Sequence, residues 1–211
     1  MCTCCTNLHR SAPQIGGLDG VISSNTLWFQ KNLGWRGALV EALPSNYAKL
    51  VKNRPHDVNV RAVICERSHE VHLVEAPDST TGTGGIWEFM SPGFRKQWHP
   101  NYMPDNSTTT TCFPLASILT ALQLSHINFF SLDVEGGEYS VLQTIDFNCT
   151  TFDVIAVESL GGSLADESKT TSLTEFLGSH GYRYVSQVGN NHWFMNNLYV
   201  PTSKPQDTTR V

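Results

Sequence analysis

The chain has 211 residues, 40% of them apolar and 16% charged, with a formal net charge of -5 at pH 7. That length suits one domain with a sizeable core of its own, and the apolar share is that of a globular protein. The acidic balance lacks the basic excess that phosphate-backbone binding uses, so nucleic acid is not an expected partner, and no stretch reaches the roughly 18 unbroken apolar residues of a membrane-spanning helix.

Residues 1–12 read as a disordered leader, 13–200 as the folded domain and 201–211 as a flexible tail. Short apolar β-type runs alternate with helical patterns, which predicts an α/β fold with a mostly parallel sheet covered on both faces. The first strand ends near Ile15 and is followed by Gly16-Gly17-Leu18-Asp19-Gly20. A helix is expected from Ser23 or Ser24, whose hydroxyl can cap it, with Leu27, Trp28 and Leu33 as its apolar face and Gly34 as its stop. Gly37 to Ala42 reads as a second strand ending on Glu41, and Pro44 opens a helix that stops before Pro55.

A third strand is expected from about Val58 to Cys65, and an added antiparallel pair at His69 to Val74 and Gly85 to Phe89. Ser91 to Thr111 shows no periodicity and reads as a long excursion over the sheet, with aromatic residues packing it down. Beyond it follow a helix from Pro114 to Leu124, the strand His126 to Val134, a helix from about Gly137 to Ile145, the strand Phe152 to Glu158 and a helix from about Glu167 to His180. Tyr182 to Val188 and Trp193 to Val200 are joined by a link too short for a crossover helix, so they should pair as an antiparallel hairpin.

Six cysteines, at positions 2, 4, 5, 65, 112 and 149, are too few for a disulfide scaffold and lack the paired spacing of a zinc site. No metal is expected, and Cys65 and Cys112 read as small core residues. Two sequons, Asn106-Ser107-Thr108 and Asn148-Cys149-Thr150, matter only in a luminal domain, so the compartment stays open between cytoplasmic and luminal.

In an open α/β sheet a ligand lies beyond the carboxyl ends of the strands, where the strand order reverses. Gly16, Gly17 and Gly20 let the backbone turn sharply there and approach a ligand. Glu41, closing the next strand, is placed to accept ribose hydroxyls. The sharpest signal is Ser131-Leu132-Asp133-Val134-Glu135-Gly136-Gly137-Glu138, where a buried apolar strand runs into three carboxylates around two glycines. Buried charge at that density needs partners, while Glu138 is explained by the helix dipole alone. His99 is a candidate base from the excursion.

These runs, with Val40-Glu41-Ala42 and Asn32-Leu33-Gly34-Trp35-Arg36-Gly37, resemble the FkbM family of S-adenosylmethionine-dependent methyltransferases over roughly Gln14 to Phe194. The Asn-Leu-Gly-Trp-Arg-Gly and Ser-Leu-Asp-Val-Glu-Gly runs are similar to its animal branch, which includes the trafficking protein Star. The resemblance implies a Rossmann-like class I methyltransferase fold, a seven-stranded, mostly parallel sheet ending in the antiparallel hairpin. It also implies S-adenosyl-L-methionine over the glycine loop and its ribose on Glu41, with Asp133 beside the methyl group, Glu135 facing the acceptor, and Asp19 and Asn25 as lesser contacts. Where this fold usually carries an acid two residues before the first glycine, the chain has Gln14, which accepts a hydrogen bond but adds no charge.

The expected function is therefore O-methylation of a small molecule or glycan. The alternative is a catalytically inactive binding or trafficking module that keeps the fold. Nicotinamide chemistry is disfavoured, because Ile15 stands where a GxGxxG loop has its first glycine. The oligomeric state is not readable from the chain.

Overall fold

The computed structural model describes residues 10–76, 83–104, 107–134, 136–158 and 164–200, the last without side-chain detail for 164–170. The first half contains β1 (Gln14–Ile15), α1 (Leu27–Leu33), β2 (Ala38–Glu41), α2 (Pro44–Asn53), β3 (Val58–Arg61), β4 (Val63–Ile64), β5 (Glu70–Val74), β6 (Gly85–Ile86) and α3 (Pro92–Trp98). The second half contains β7 (Thr109–Phe113), α4 (Leu115–Ala121), β8 (His126–Leu132), α5 (Glu138–Leu142), β9 (Thr151–Glu158), α6 (Leu164–Ser179), β10 (Tyr182–Val188) and β11 (Asn191–Asn196).

Seven strands form the main sheet in the order β3-β2-β1-β8-β9-β11-β10. Counted along the chain within this sheet, that is 3-2-1-4-5-7-6, the doubly wound order with a seventh strand inserted before the sixth. The strands are parallel except β11, which runs antiparallel to both β9 and β10 and so makes the expected hairpin. One face packs Phe130, Leu132, Ile155 and Phe194 against Leu115 and Leu119 of α4, Val141 of α5 and Leu177 of α6. The other face carries Ala12, Phe129 and Ala156 beneath Phe29, Trp35 and Trp193.

Pro13 shortens the first strand but does not end its contact with β8. Pairing runs from Ser11 to Ile15, because Phe129, Ser131 and Asp133 donate to the carbonyls of Ser11, Pro13 and Ile15. Pro13 has no N–H to give to β8, so one ladder bond is missing there and the regular strand starts at Gln14.

Several expectations are corrected. The helix after the glycine loop opens at Leu27, without a side-chain cap, because Ser23 sits at φ 54° and the hydroxyls of Ser24 and Thr26 are bonded to Gln14. Its anchor is Phe29, whose ring lies 4.9 Å from those of Trp35 and Phe129, while Trp28 and Leu33 are exposed. Gly34 ends the helix in the left-handed region, as expected.

The third strand divides. Arg61 pairs with Glu41, the last residue of β2, so the chain beyond it has no neighbour in the main sheet, and Val63 pairs with Cys112 instead. The added pair grows accordingly into a four-stranded sheet, β4-β7-β5-β6. The excursion from Ser91 contains α3, capped by the Ser91 hydroxyl on the Phe94 amide, and most of β7. Its aromatic residues pack down, with Trp87 4.7 Å from Tyr102 and beneath the Arg95 guanidinium.

Cys65 and Cys112 form a disulfide rather than filling the core as free thiols. The parallel β4-β7 ladder puts them side by side, although 47 positions separate them in sequence. Cys149 is disulfide-bonded as well. No helix among the described residues is long and apolar enough to cross a membrane.

Chain-entropy arithmetic for a loop of that length gives the Cys65–Cys112 bridge up to about 4 kcal/mol. Urea unfolding of the Cys65→Ser, Cys112→Ser double variant should show a loss approaching that value, and an unchanged midpoint would show that the bridge adds no stability.

Candidate active site

The strand order reverses between β1 and β8, and the loops that follow those strands meet there. Gly16 adopts φ +81°, and a Cβ on it would lie 1.8 Å from the Asp133 carbonyl oxygen. Glycine is therefore demanded twice, by the left-handed backbone and by the contact. The loop is tied to the neighbouring strand as well, because the amides of Gly16 and Gly17 both donate to the Val40 carbonyl, at 3.0 and 2.9 Å.

Glu41 closes β2 with its carboxylate turned back under the loop. The Leu18 amide donates to Oε2 at 2.8 Å and the Leu43 amide to Oε1 at 2.9 Å, and Asn46 of α2 adds a side-chain bond. Only 6% of the residue is exposed. Burial pushes its pKa up to about 7, against the lowering effect of the Leu43 and Leu18 amides. A carboxylate has roughly four lone-pair sites, so two amides leave room for further donors.

Beneath the loop lies a cation with no signal in the sequence pattern. Arg54 is 1% exposed and donates to Asp57 at 2.7 Å, to the Gly20 carbonyl at 3.1 Å and to the Ser24 hydroxyl at 3.2 Å. Asp57 also accepts the Gly37 amide and the Gln30 side chain. Gln14, 2% exposed, accepts the hydroxyls of Ser24 and Thr26 and donates to the Gly16 carbonyl.

A cleft of about 220 Å³ opens at this point. Of the residues expected to bind a cofactor, Gln14, Gly16, Glu41 and Asp133 line it. Gly17, Asp19, Gly20 and Asn25 are not on its wall and act on the loop instead. Gly17 and Gly20 pack over Leu50 and Arg54, Asp19 accepts the amides of Val21 and Ile22, and Asn25 donates to the Ser131 hydroxyl. Glu138 accepts the amides of Val134 and Gly136 and so closes the turn after β8.

Of the two residues expected to serve as base, His99 is placed away from the cleft wall. His99 is buried with Nε2 2.8 Å from the Thr83 carbonyl oxygen, bracing the segment that leads into β6. Glu135 lies outside the described residues. Residues the sequence reading missed are Asn46, Phe89 and Glu158, all on the wall. Glu158 carried a usable signal, an acid closing an apolar strand, the same one that singled out Glu41 and Asp133. It accepts a long hydrogen bond from Asn190, at 3.4 Å.

An adenosyl group fits these surroundings. Val63, Ile64, Ile86 and Phe89 offer an apolar wall for a flat base, Glu41 offers acceptor capacity for hydroxyls, and the carboxylates of Asp133 and Glu158 suit a cationic end. Sheet order, glycine turn and acid-ended strands together define a class I methyltransferase-like α/β domain.

The model of the methyltransferase FkbM domain matches residues 14–184, and the chain belongs to that family. No curated protein matches it in sequence. Among solved structures it is similar, at 12% identity and a TM-score of 0.47, to the human methyltransferase 10 domain containing protein, covering 92% of this chain and 74% of that one. It is also similar to a precorrin-6y C5,15-methyltransferase from Geobacter metallireducens GS-15, at 12% identity, a TM-score of 0.45 and coverage of 88% and 78%. A third is the methyltransferase domain of METTL16, at 12% identity, a TM-score of 0.46 and coverage of 92% and 74%.

Two variants test this geometry. Gly16→Ala should unfold the loop or the domain, since its Cβ meets backbone rather than a movable side chain; a thermal midpoint equal to wild type would refute the contact. For Glu41, the folded state keeps its proton up to about pH 7, while the unfolded chain releases it near 4.5. Its contribution to stability is therefore full below pH 4.5 and is lost as the pH rises through 7. Glu41→Gln should gain on wild type between about pH 5 and pH 8 by on the order of 3 kcal/mol in urea titrations. A stability difference that stays flat with pH would refute the raised pKa.

Proposed function

We propose that the domain binds S-adenosylmethionine in this cleft and transfers its methyl group to an oxygen of a small molecule or glycan. The observation that carries this reading is the buried Glu41 carboxylate, which holds the glycine loop by the Leu18 amide and still faces the cleft. Membership of the FkbM family supports it.

When bound, the cofactor supplies an electrophilic methyl on a sulfonium, which is intrinsically reactive. The protein's share of the work is then alignment and proton removal. Glu41 would hold the ribose hydroxyls, and the apolar wall around Ile64 and Ile86 would exclude water from the base. Asp133 and Glu158, which line the cleft at the ends of adjacent strands, would orient an acceptor hydroxyl and take its proton.

A second reading, a binding or trafficking module without turnover, is favoured by Gln14. Its amide brings no charge to the cleft and is already bonded to Ser24, Thr26 and Gly16. Losing a charge-assisted bond at that place costs about 1.5 to 3 kcal/mol, or one to two decades of affinity. The likeness of the Asn-Leu-Gly-Trp-Arg-Gly run to the animal branch supports the same reading.

Calorimetric titration with S-adenosylmethionine separates the two. Micromolar binding, weakened at least tenfold in Glu41→Ala, supports transfer; no heat at any accessible concentration supports the module. Hydroxyl donors favour the ionised carboxylate, so affinity for the cofactor should rise with pH up to about 7 and level off above it. Affinity that falls over that range would remove Glu41 from the ribose site.

A further inference from the structure

We propose that Asn148 carries an N-linked glycan and that the domain matures in an oxidising compartment. The turn between α5 and β9 contains Asn148-Cys149-Thr150, an acceptor triplet in sequence. In the structure Asn148 is exposed, and its backbone N–H, not its side chain, is bonded to the Asp146 carboxylate.

The cysteines give an independent reason. Cys65 is bridged to Cys112, and Cys149, the middle residue of the triplet, is also oxidised. Cytosolic reductants keep such thiols reduced, whereas secretory and extracellular compartments let disulfides form and persist. A sequon is informative only where glycosyl transfer occurs, and the oxidised cysteines point to the same place.

The position on the fold is permissive. Asn148 stands before Thr151, at the amino end of β9, whereas the cleft is built at the carboxyl ends, where β9 finishes on Glu158. Seven residue steps at about 3.3 Å each put roughly 23 Å between those ends, so a sugar tree at the turn leaves the cleft open.

The fold also orders the events. Transfer joins the Asn148 side-chain nitrogen to the anomeric carbon of an isoprenoid-pyrophosphate-linked oligosaccharide; the pyrophosphate leaves with the bonding electrons and the amide loses a proton. The sequon hydroxyl takes part in recognition, yet Thr150 is 6% exposed and its hydroxyl donates to the Leu124 carbonyl at 3.1 Å. Glycosylation must therefore precede packing of this turn; the Cys149 disulfide forms by exchange, its two thiols giving two electrons and two protons to a protein disulfide, which is reduced to a dithiol.

The test uses the natural protein from its own cells. Free thiols are blocked before reduction, and peptides are compared with and without peptide-N-glycosidase in oxygen-18 water. The expected result is heavy-oxygen aspartate at position 148 in most copies after the enzyme, with Cys65, Cys112 and Cys149 unreacted in the blocking step. Unmodified Asn148 overturns the proposal whatever the thiols show, and blocked Cys65 or Cys112 overturns the oxidising compartment. Neither result depends on whether the cleft binds a cofactor.

Discussion

The glycine loop is held in shape by one buried cation. Arg54 and Asp57 form an ion pair whose side chains are both fully enclosed, an arrangement that costs desolvation unless every remaining polar site is used. Here they are used. Arg54 spends its other donors on Gly20 and Ser24 of the loop, and Asp57 takes the Gly37 amide at the entrance to β2 and the Gln30 side chain of α1. A single pair thus fixes where the loop ends, where the next strand begins and how the intervening helix sits. Removing one partner from such a pair leaves an uncompensated buried charge, a loss of about 3 to 5 kcal/mol.

On the opposite side of the loop the constraint is steric. Gly16 brings the backbone of β1 against the carbonyl of Asp133, so the loops after the two central strands share one wall. Glu41 closes the third side through the Leu18 amide. Cation below, backbone contact on one flank and carboxylate on the other leave the loop few alternatives. That rigidity is what a cofactor site requires, because binding then pays little to order the chain.

Much of this was readable from residues alone. The parallel units, the closing hairpin and the acids at the ends of β2 and β8 follow from apolar runs of strand length and a link too short for a crossover. What escaped had no local signature. β4 is two residues long, too short for any periodicity, and exists because β3 outruns its neighbour at Arg61. The Cys65–Cys112 bridge depends on a ladder between segments 47 positions apart, which spacing cannot reveal. Nothing in sequence separates Arg54 from any helix-end cation before a proline, and only the folded loop shows what it binds. His99 was drawn toward the site by its chemistry, whereas its ring serves the Thr83 carbonyl.

The two ends of the main sheet have been given different work. At the carboxyl ends, Glu41, Asp133 and Glu158 each close a strand on a carboxylate, and the backbone around them is bent by glycine or bonded to acids. At the amino ends the polar residues bind one another: Asn128 accepts the Ser11 amide and donates to Asp153, which also holds His126. Those groups are satisfied and set register. Glu41 differs because its burial is only partly offset by its hydrogen bonds, which is why its proton is held to about pH 7. A ligand that brought hydroxyls to this carboxylate would supply further donors and favour release of the proton, so burial at one strand end would become selectivity at the cleft under the proposed function.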